Sequence, residues 1–160
     1  MAAAYRGRAQ GADILAQVRK ILKDGRPLGD SVGIPAEDRQ TLYAVAYKVY
    51  AEGRYDVAQH LFAQLVTYDH HEPRYMKGLA AATQMLGDHE QAMRMYSVAA
   101  LMDASDPAVV MHAGDCFRAM GKHARALESF DLASAMCSKA EHEPVRRRCN
   151  QLLARLRPAA

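Results

Sequence analysis

Gly53-Arg54-Tyr55-Asp56-Val57-Ala58, Gly87-Asp88-His89-Glu90-Gln91-Ala92 and Gly121-Lys122-His123-Ala124-Arg125-Ala126 share one frame. Each glycine lies 34 residues after the one before it, and so does each alanine. The register extends outward from there. Phe62, Tyr96 and Phe130 follow the alanines by four positions, Leu65, Ala99 and Ala133 follow by seven, and Pro73 and Pro107 open the second and third units. A glycine supplies the left-handed backbone that ends a helix, an alanine lets two helices approach closely, and an aromatic one turn later fills the space beside it. Asp106 before Pro107 reads as an N-cap before an N1 proline, and Asp88 with Gln91 as a capping box. The spacing predicts three helix pairs, at about 39–70, 73–104 and 107–138, in an all-α chain.

A 34-residue period in this glycine, small residue, aromatic order resembles the tetratricopeptide repeat. Three such repeats stack into a short right-handed solenoid, expected here over residues 35–157 with a C-terminal capping helix. After Pro144, the residues Val145, Cys149, Leu152, Leu153 and Leu156 recur on one helical face, which suits a cap, and Arg146, Arg147 and Arg148 keep its outer side wet. Upstream, Ile14, Leu15, Val18, Ile21 and Leu22 make an apolar stripe on a helix that ends at Gly25. Residues 12–34 therefore read as an N-terminal helix and connector, and 1–11 as a disordered N-terminus. The stripe either caps the first repeat of its own chain or serves as a dimer contact; Pro27, Gly29 and Gly33 make the connector flexible enough for both.

The 160-residue chain is half apolar, which supports one globular domain. Its net charge of +3 comes largely from the two ends, among them Arg6, Arg8, Arg19, Arg146, Arg147 and Arg148. A nucleic-acid binder shows a denser basic face with planar groups interleaved for stacking, so no nucleic acid is expected. Cys116, Cys137 and Cys149 are odd in number and form no short-spaced ligand pair, as suits free thiols in a reducing compartment. With neither a signal-peptide core nor an apolar run approaching the roughly 20 residues of a membrane span, the expected address is the cytoplasm, without membrane insertion.

Catalytic readings find little support. His70 and His71 cannot both face one metal from a regular element, and the other histidines are scattered. The glycines stand singly in turns instead of forming a phosphate loop. His112 and Cys116 share a helix face, but no orienting group or oxyanion feature accompanies them. The expectation is a protein that is not an enzyme, with no cofactor and no metal.

The helix from Thr41 carries two apolar stripes. Leu42, Val45, Ala46 and Val49 form one, assigned to the stack, and Tyr43, Tyr47 and Tyr50 form another about 120° away. One stripe suffices for docking. In stacked pairs the first helix of each pair lines the concave face. That face then receives Tyr43, Tyr47 and Tyr50 from unit one, Arg74, Lys77, Ala81, Gln84 and Met85 from unit two, and Met111, Asp115 and Arg118 from unit three. Tyrosine offers large apolar area with a polar tip, and Ala81 leaves room for a peptide backbone. The face suits an extended apolar peptide; alternatively the tyrosines cover Tyr55, Leu65, Tyr68 or the N-terminal helix.

The run Leu42-Tyr43-Ala44-Val45-Ala46-Tyr47, continuing with Tyr50, Gly53, Tyr55, Ala58, Phe62, Leu65 and Asp69-His70, resembles the class II chaperones of bacterial type III secretion. Gly78-Leu79, Gln84, Gly87, Ala92, Tyr96-Ser97, Met102-Asp103, Pro107 and His112-Ala113 are similar to the same family. The resemblance implies a cytoplasmic chaperone of hydrophobic translocator proteins, a homodimer when client-free through its N-terminal helix. It also implies that a short extended client segment, of the pattern Pro-x-Leu-x-x-Pro, lies in the groove, with Tyr43, Tyr47, Tyr50, Tyr55, Leu65 and Tyr68 forming its pockets. His71 and His89 stand where tyrosines are more usual. A scaffold that assembles soluble proteins, without a membrane-active client, is the alternative class.

Overall fold

The computed structural model describes Gly25 and residues 27–157. The sequence-predicted N-terminal helix, including Ile14, Leu15, Val18, Ile21 and Leu22, and the segment 1–11 lie outside the described residues.

Three helix pairs follow one another: α2 (Ala36–Ala51) with α3 (Tyr55–Tyr68), α4 (Pro73–Met85) with α5 (His89–Met102), and α6 (Pro107–Ala119) with α7 (His123–Met136). A short helix, α1 (Leu28–Ser31), precedes them; a 3-10 turn (Ala140–His142) and α8 (Glu143–Leu156) follow. Every consecutive pair from α2 to α8 is in contact, as a solenoid requires. The turn glycines Gly53, Gly87 and Gly121 take φ of 80°, 91° and 73°, the left-handed region in which a side chain is strained. The second and third pairs start on side-chain caps: Glu72 accepts from the Arg74 amide and Asp106 from the Ala108 amide, each ahead of a proline. Asp88 likewise caps α5 by accepting from the Gln91 amide.

Inside each pair a small residue of the first helix faces an aromatic of the second. Ala46 and Phe62 share one core cluster and Ala80 and Tyr96 another. Gly114 lies so close to Phe130 that a Cβ there would stand 2.8 Å from the ring. The alanines Ala58, Ala92 and Ala126 are fully buried beside them. At the C-terminal end, Cys149, Leu152 and Leu153 of α8 cover Ala126, Phe130 and Ala133 of α7. Arg146 donates to the Cys137 carbonyl, so it closes the end of α7, whereas Arg147 and Arg148 remain exposed.

Two expectations need correction. Val45, which the sequence places on the stacked stripe, is 46% exposed, because Ala46 and Val49 are the buried residues of α2 facing α3 and Leu42 packs at their margin. The flexible connector contains a helical turn, held by Arg39. The Arg39 guanidinium is buried and donates to Asp30 at 2.6 Å and to the Ile34 carbonyl at 2.7 Å, with Asp69 at 3.6 Å. Gly29 is in close contact with this guanidinium, leaving no space for a Cβ.

The close-approach contact and the turn backbone should separate in magnitude. Phe130→Ala should cost about 3–5 kcal/mol through the cavity it leaves, whereas Gly121→Ala, with open space around it, should cost about 1–2 kcal/mol of backbone strain. Urea unfolding of both variants measures this, and equal losses would contradict the ranking.

Candidate peptide-binding groove

The first helices α2, α4 and α6 line the concave side, where a groove of about 310 Å³ opens. Tyr43, Tyr47 and Tyr50 of α2 form one wall. Arg74, Lys77, Gly78, Ala81, Gln84 and Met85 of α4 form the opposite side, and Ala108 and His112 of α6 extend it. Phe62 of α3 and Tyr96 of α5 supply the floor. Gly78 is there because Phe62 is: a Cβ on Gly78 would stand 2.4 Å from the ring. Together Gly78 and Ala81 keep the middle of the groove low.

The tyrosine stripe is graded from packed to free. Tyr43 meets Phe62 edge-on at 6.0 Å and Tyr75 at 5.6 Å, and the Arg74 guanidinium lies over its ring at 5.3 Å. Tyr50 packs edge-on against Tyr55 at 5.3 Å, and burial pushes its hydroxyl pKa upward. Tyr47 is 61% exposed and has no such partner among the described residues. A large aromatic held on a rigid helix with its ring left uncovered is suited to receive a ligand.

The two cations in the wall are neutralised locally. Arg74 donates from Nε and Nη2 to the two oxygens of Glu72, each at 2.9 Å, and this pairing holds the Glu72 carboxyl below its ordinary range. Lys77 reaches Asp106 at 2.6 Å. Arg118 and Asp115, at the far end of the face, pair with each other at 3.0 Å. The groove therefore presents apolar area with little net charge, which favours a neutral apolar segment over a phosphate or nucleic-acid strand.

Eight of the sequence-predicted residues are brought together here: Tyr43, Tyr47, Tyr50, Arg74, Lys77, Ala81, Gln84 and Met85. The others lie elsewhere, Asp115 and Arg118 outside the groove lining at the far end of the face. Leu65 is fully buried in the first core cluster, between helices and not in the groove. Met111 occupies the register position of Tyr43 and Lys77, but α8 takes the place of a further first helix and closes over it, packing Met111 with Leu152 and Leu153. Tyr55 supports Tyr50 from behind, and Tyr68 is half-buried near the end of α3, outside the groove lining. Ala108 and His112 were missed, although they stand one repeat on from Arg74 and Gly78. The floor position of Tyr96 was legible only as the tyrosine between two phenylalanines.

No group of three or more His, Cys, Asp or Glu among the described residues is arranged to hold a metal. All three cysteines are buried, and burial pushes Cys116 and Cys149 up to about 11, far from a reactive thiolate. No described helix is long and apolar enough to cross a membrane.

Residues 41–71 and 74–106 match the tetratricopeptide repeat family. The chain is 31% identical over 155 residues to chaperone protein SicA of Salmonella typhimurium, covering 97% of this chain and 92% of SicA. Among solved structures it resembles PcrH of Pseudomonas aeruginosa in complex with the chaperone-binding region of PopD, at 34% identity and TM-score 0.74, over 78% of this chain and 94% of PcrH. It also resembles the type III secretion chaperone SycD of Yersinia enterocolitica in complex with a peptide of the translocator YopD. That likeness has 30% identity and TM-score 0.72, over 77% of this chain and 95% of SycD.

His112 gives the groove wall a pH signature. It stacks on Tyr96 at 5.5 Å, and burial lowers its pKa from 6.5. The unfolded chain takes up this proton near the ordinary value while the folded chain resists it. The unfolded state thus binds more protons as pH falls below about 6.5, and stability is lost there. The stabilising Glu72 pairing is lost only at lower pH, below the ordinary carboxylate value. The urea midpoint should drop between about pH 7 and pH 5.5, and His112→Gln should flatten that drop; an unchanged slope in the variant would remove His112 as its source.

Proposed function

Because this chain belongs to the type III secretion chaperones that include SicA, SycD and PcrH, we propose that its groove holds an extended apolar segment of a hydrophobic translocator, keeping the client soluble, separate from its partners and competent for secretion. The observation that carries the site is Tyr47: exposed, held on α2, and facing the low middle of α4 at Ala81 across a nearly neutral groove. Covering it would bury apolar area worth about 1.5–3 kcal/mol per large side chain, before the cost of ordering the client. A protein that must later enter a membrane carries segments that self-associate in water. Sequestering one such segment removes an initiation point for that association.

The client-contacting residues are Tyr43, Tyr47, Tyr50, Arg74, Lys77, Ala81 and Met85, joined by Gln84 and His112. Tyr55, Leu65, Tyr68 and Met111 act from behind, by fixing the walls. The N-terminal helix at 12–24 supplies the contact for a client-free homodimer, and residues 35–157 form the binding domain. Binding is the whole of the activity, with no reaction catalysed and no nucleotide needed, and it takes place in the bacterial cytoplasm before export.

Co-expression with the cognate translocator tests this reading. The client should remain soluble and co-purify with the wild-type chain, and Tyr47→Ala and Tyr50→Ala should each weaken capture by about tenfold or more, as expected for aromatic anchors. A client that is soluble without the chaperone removes the chaperone reading. Undiminished capture by both variants moves the site off this face.

A further inference from the structure

We infer that Gln84 is a specificity-determining residue of the groove, donating a hydrogen bond from its side-chain amide to a main-chain carbonyl of the extended client segment, with Tyr96 as the residue that positions it. This deepens the groove reading above and rests on it.

The three repeats place Phe62, Tyr96 and Phe130 at one register position, and packing alone would accept phenylalanine in all of them. Tyr96 is only 1% exposed, so its hydroxyl must be paired inside the protein or cost free energy. It donates to Gln84 Oε1 at 2.9 Å. The ring that carries it is fixed by stacking on His112. Gln84, on the α4 wall, is thus held by its acceptor end against the floor of the groove. Its Nε2, carrying two donor hydrogens, has no hydrogen bond among the described residues and is not one of the sealed, unpartnered atoms of the interior.

That free donor end sits where a client must cover it. The other strong donors of the same wall are already engaged, Arg74 with Glu72 and Lys77 with Asp106. The tyrosine hydroxyl of Tyr47 stands at the exposed rim, within reach of water. A ligand that covers Gln84 without offering an acceptor would strand two amide hydrogens in an apolar groove. An extended peptide offers a carbonyl at every residue, and a proline-bearing one still does, although each proline removes an N–H. The match is between a donor-bearing wall and a carbonyl-rich, donor-poor ligand. An aliphatic ligand or an isolated amphipathic helix, whose carbonyls are already internally bonded, satisfies Gln84 poorly.

The test uses the full chain and a fluorescein-labelled synthetic peptide centred on Pro-Ala-Leu-Ser-Ala-Pro, with binding read by fluorescence anisotropy. Gln84→Glu keeps the shape and removes the donors; Gln84→Met keeps the volume and removes the whole amide. Each should weaken binding by about tenfold; thermal unfolding should stay near wild type in Gln84→Glu, which still accepts from Tyr96, and fall in Gln84→Met, which leaves the Tyr96 hydroxyl unpaired. Tyr96→Phe should weaken binding less, and should add no further loss in the Gln84→Met background, whereas a purely structural tyrosine would lower affinity equally in both. Wild-type affinity in either Gln84 variant overturns the inference, as does a full additional loss from Tyr96→Phe in the Gln84→Met chain. Tyr47→Ala separates the two levels. Loss of binding in Tyr47→Ala with wild-type binding in the Gln84 variants removes only the role of Gln84. Undiminished binding in both Tyr47→Ala and Tyr50→Ala, or none by the wild-type chain, removes the groove reading and this inference with it.

Discussion

The close approach of a small residue to an aromatic ring inside each helix pair is the contact on which the remaining structure depends. Ala46 against Phe62, Ala80 against Tyr96 and Gly114 against Phe130 set how near the two helices lie, and repetition of that distance sets how one pair stacks on the next. Because interiors are packed to near-crystalline density, this spacing cannot relax by more than a few tenths of an ångström without leaving a void or a clash. The same rings then serve a second purpose. Phe62 and Tyr96 reach through to the concave side and become the groove floor, so the contact that builds the solenoid also builds the site.

The turns and the helix pairs were legible because glycine, alanine and aromatic positions obey one period, and a period averages over local ambiguity. Tyr55–Tyr68 and all four helices of the second and third pairs fall within the predicted bounds, and Ala36–Ala51 begins three residues ahead of the predicted start at 39. What escaped the sequence depends on position along the stack, which a period cannot encode. Met111 shares its register with Tyr43, yet it is buried because the unit after it is a lone capping helix. Val45 is apolar and one turn from the seam, yet it stays exposed because the small Ala46 already fills the closest approach. Arg39, a charged residue near the start of a helix, gives no sign in sequence that three acceptors from Asp30, Ile34 and Asp69 will surround it. The candidate site divides along the same line. Its walls follow from the register, whereas the floor requires knowing how far Phe62 and Tyr96 project.

Electrostatics explain why the groove suits an uncharged client even though it contains an arginine and a lysine. Both cations sit beside their own carboxylates, with Arg74 bidentate to Glu72 and Lys77 on Asp106, and the latter pair also ties α4 to the start of α6. Exposed pairs of this kind contribute little to stability. Their consequence for binding is selectivity: a charged client segment would have to displace an existing partner, while an apolar one needs only to displace water.

A crystal structure of the chain co-purified with its translocator measures the central claim most directly. An extended client segment should lie between Tyr47 of α2 and Met85 of α4, with a large apolar side chain against Tyr50 and Ala81 and its backbone running over Gly78. A client seated instead on the outer surface, where Val98, Leu101 and Leu132 are exposed, with the groove empty, would contradict it.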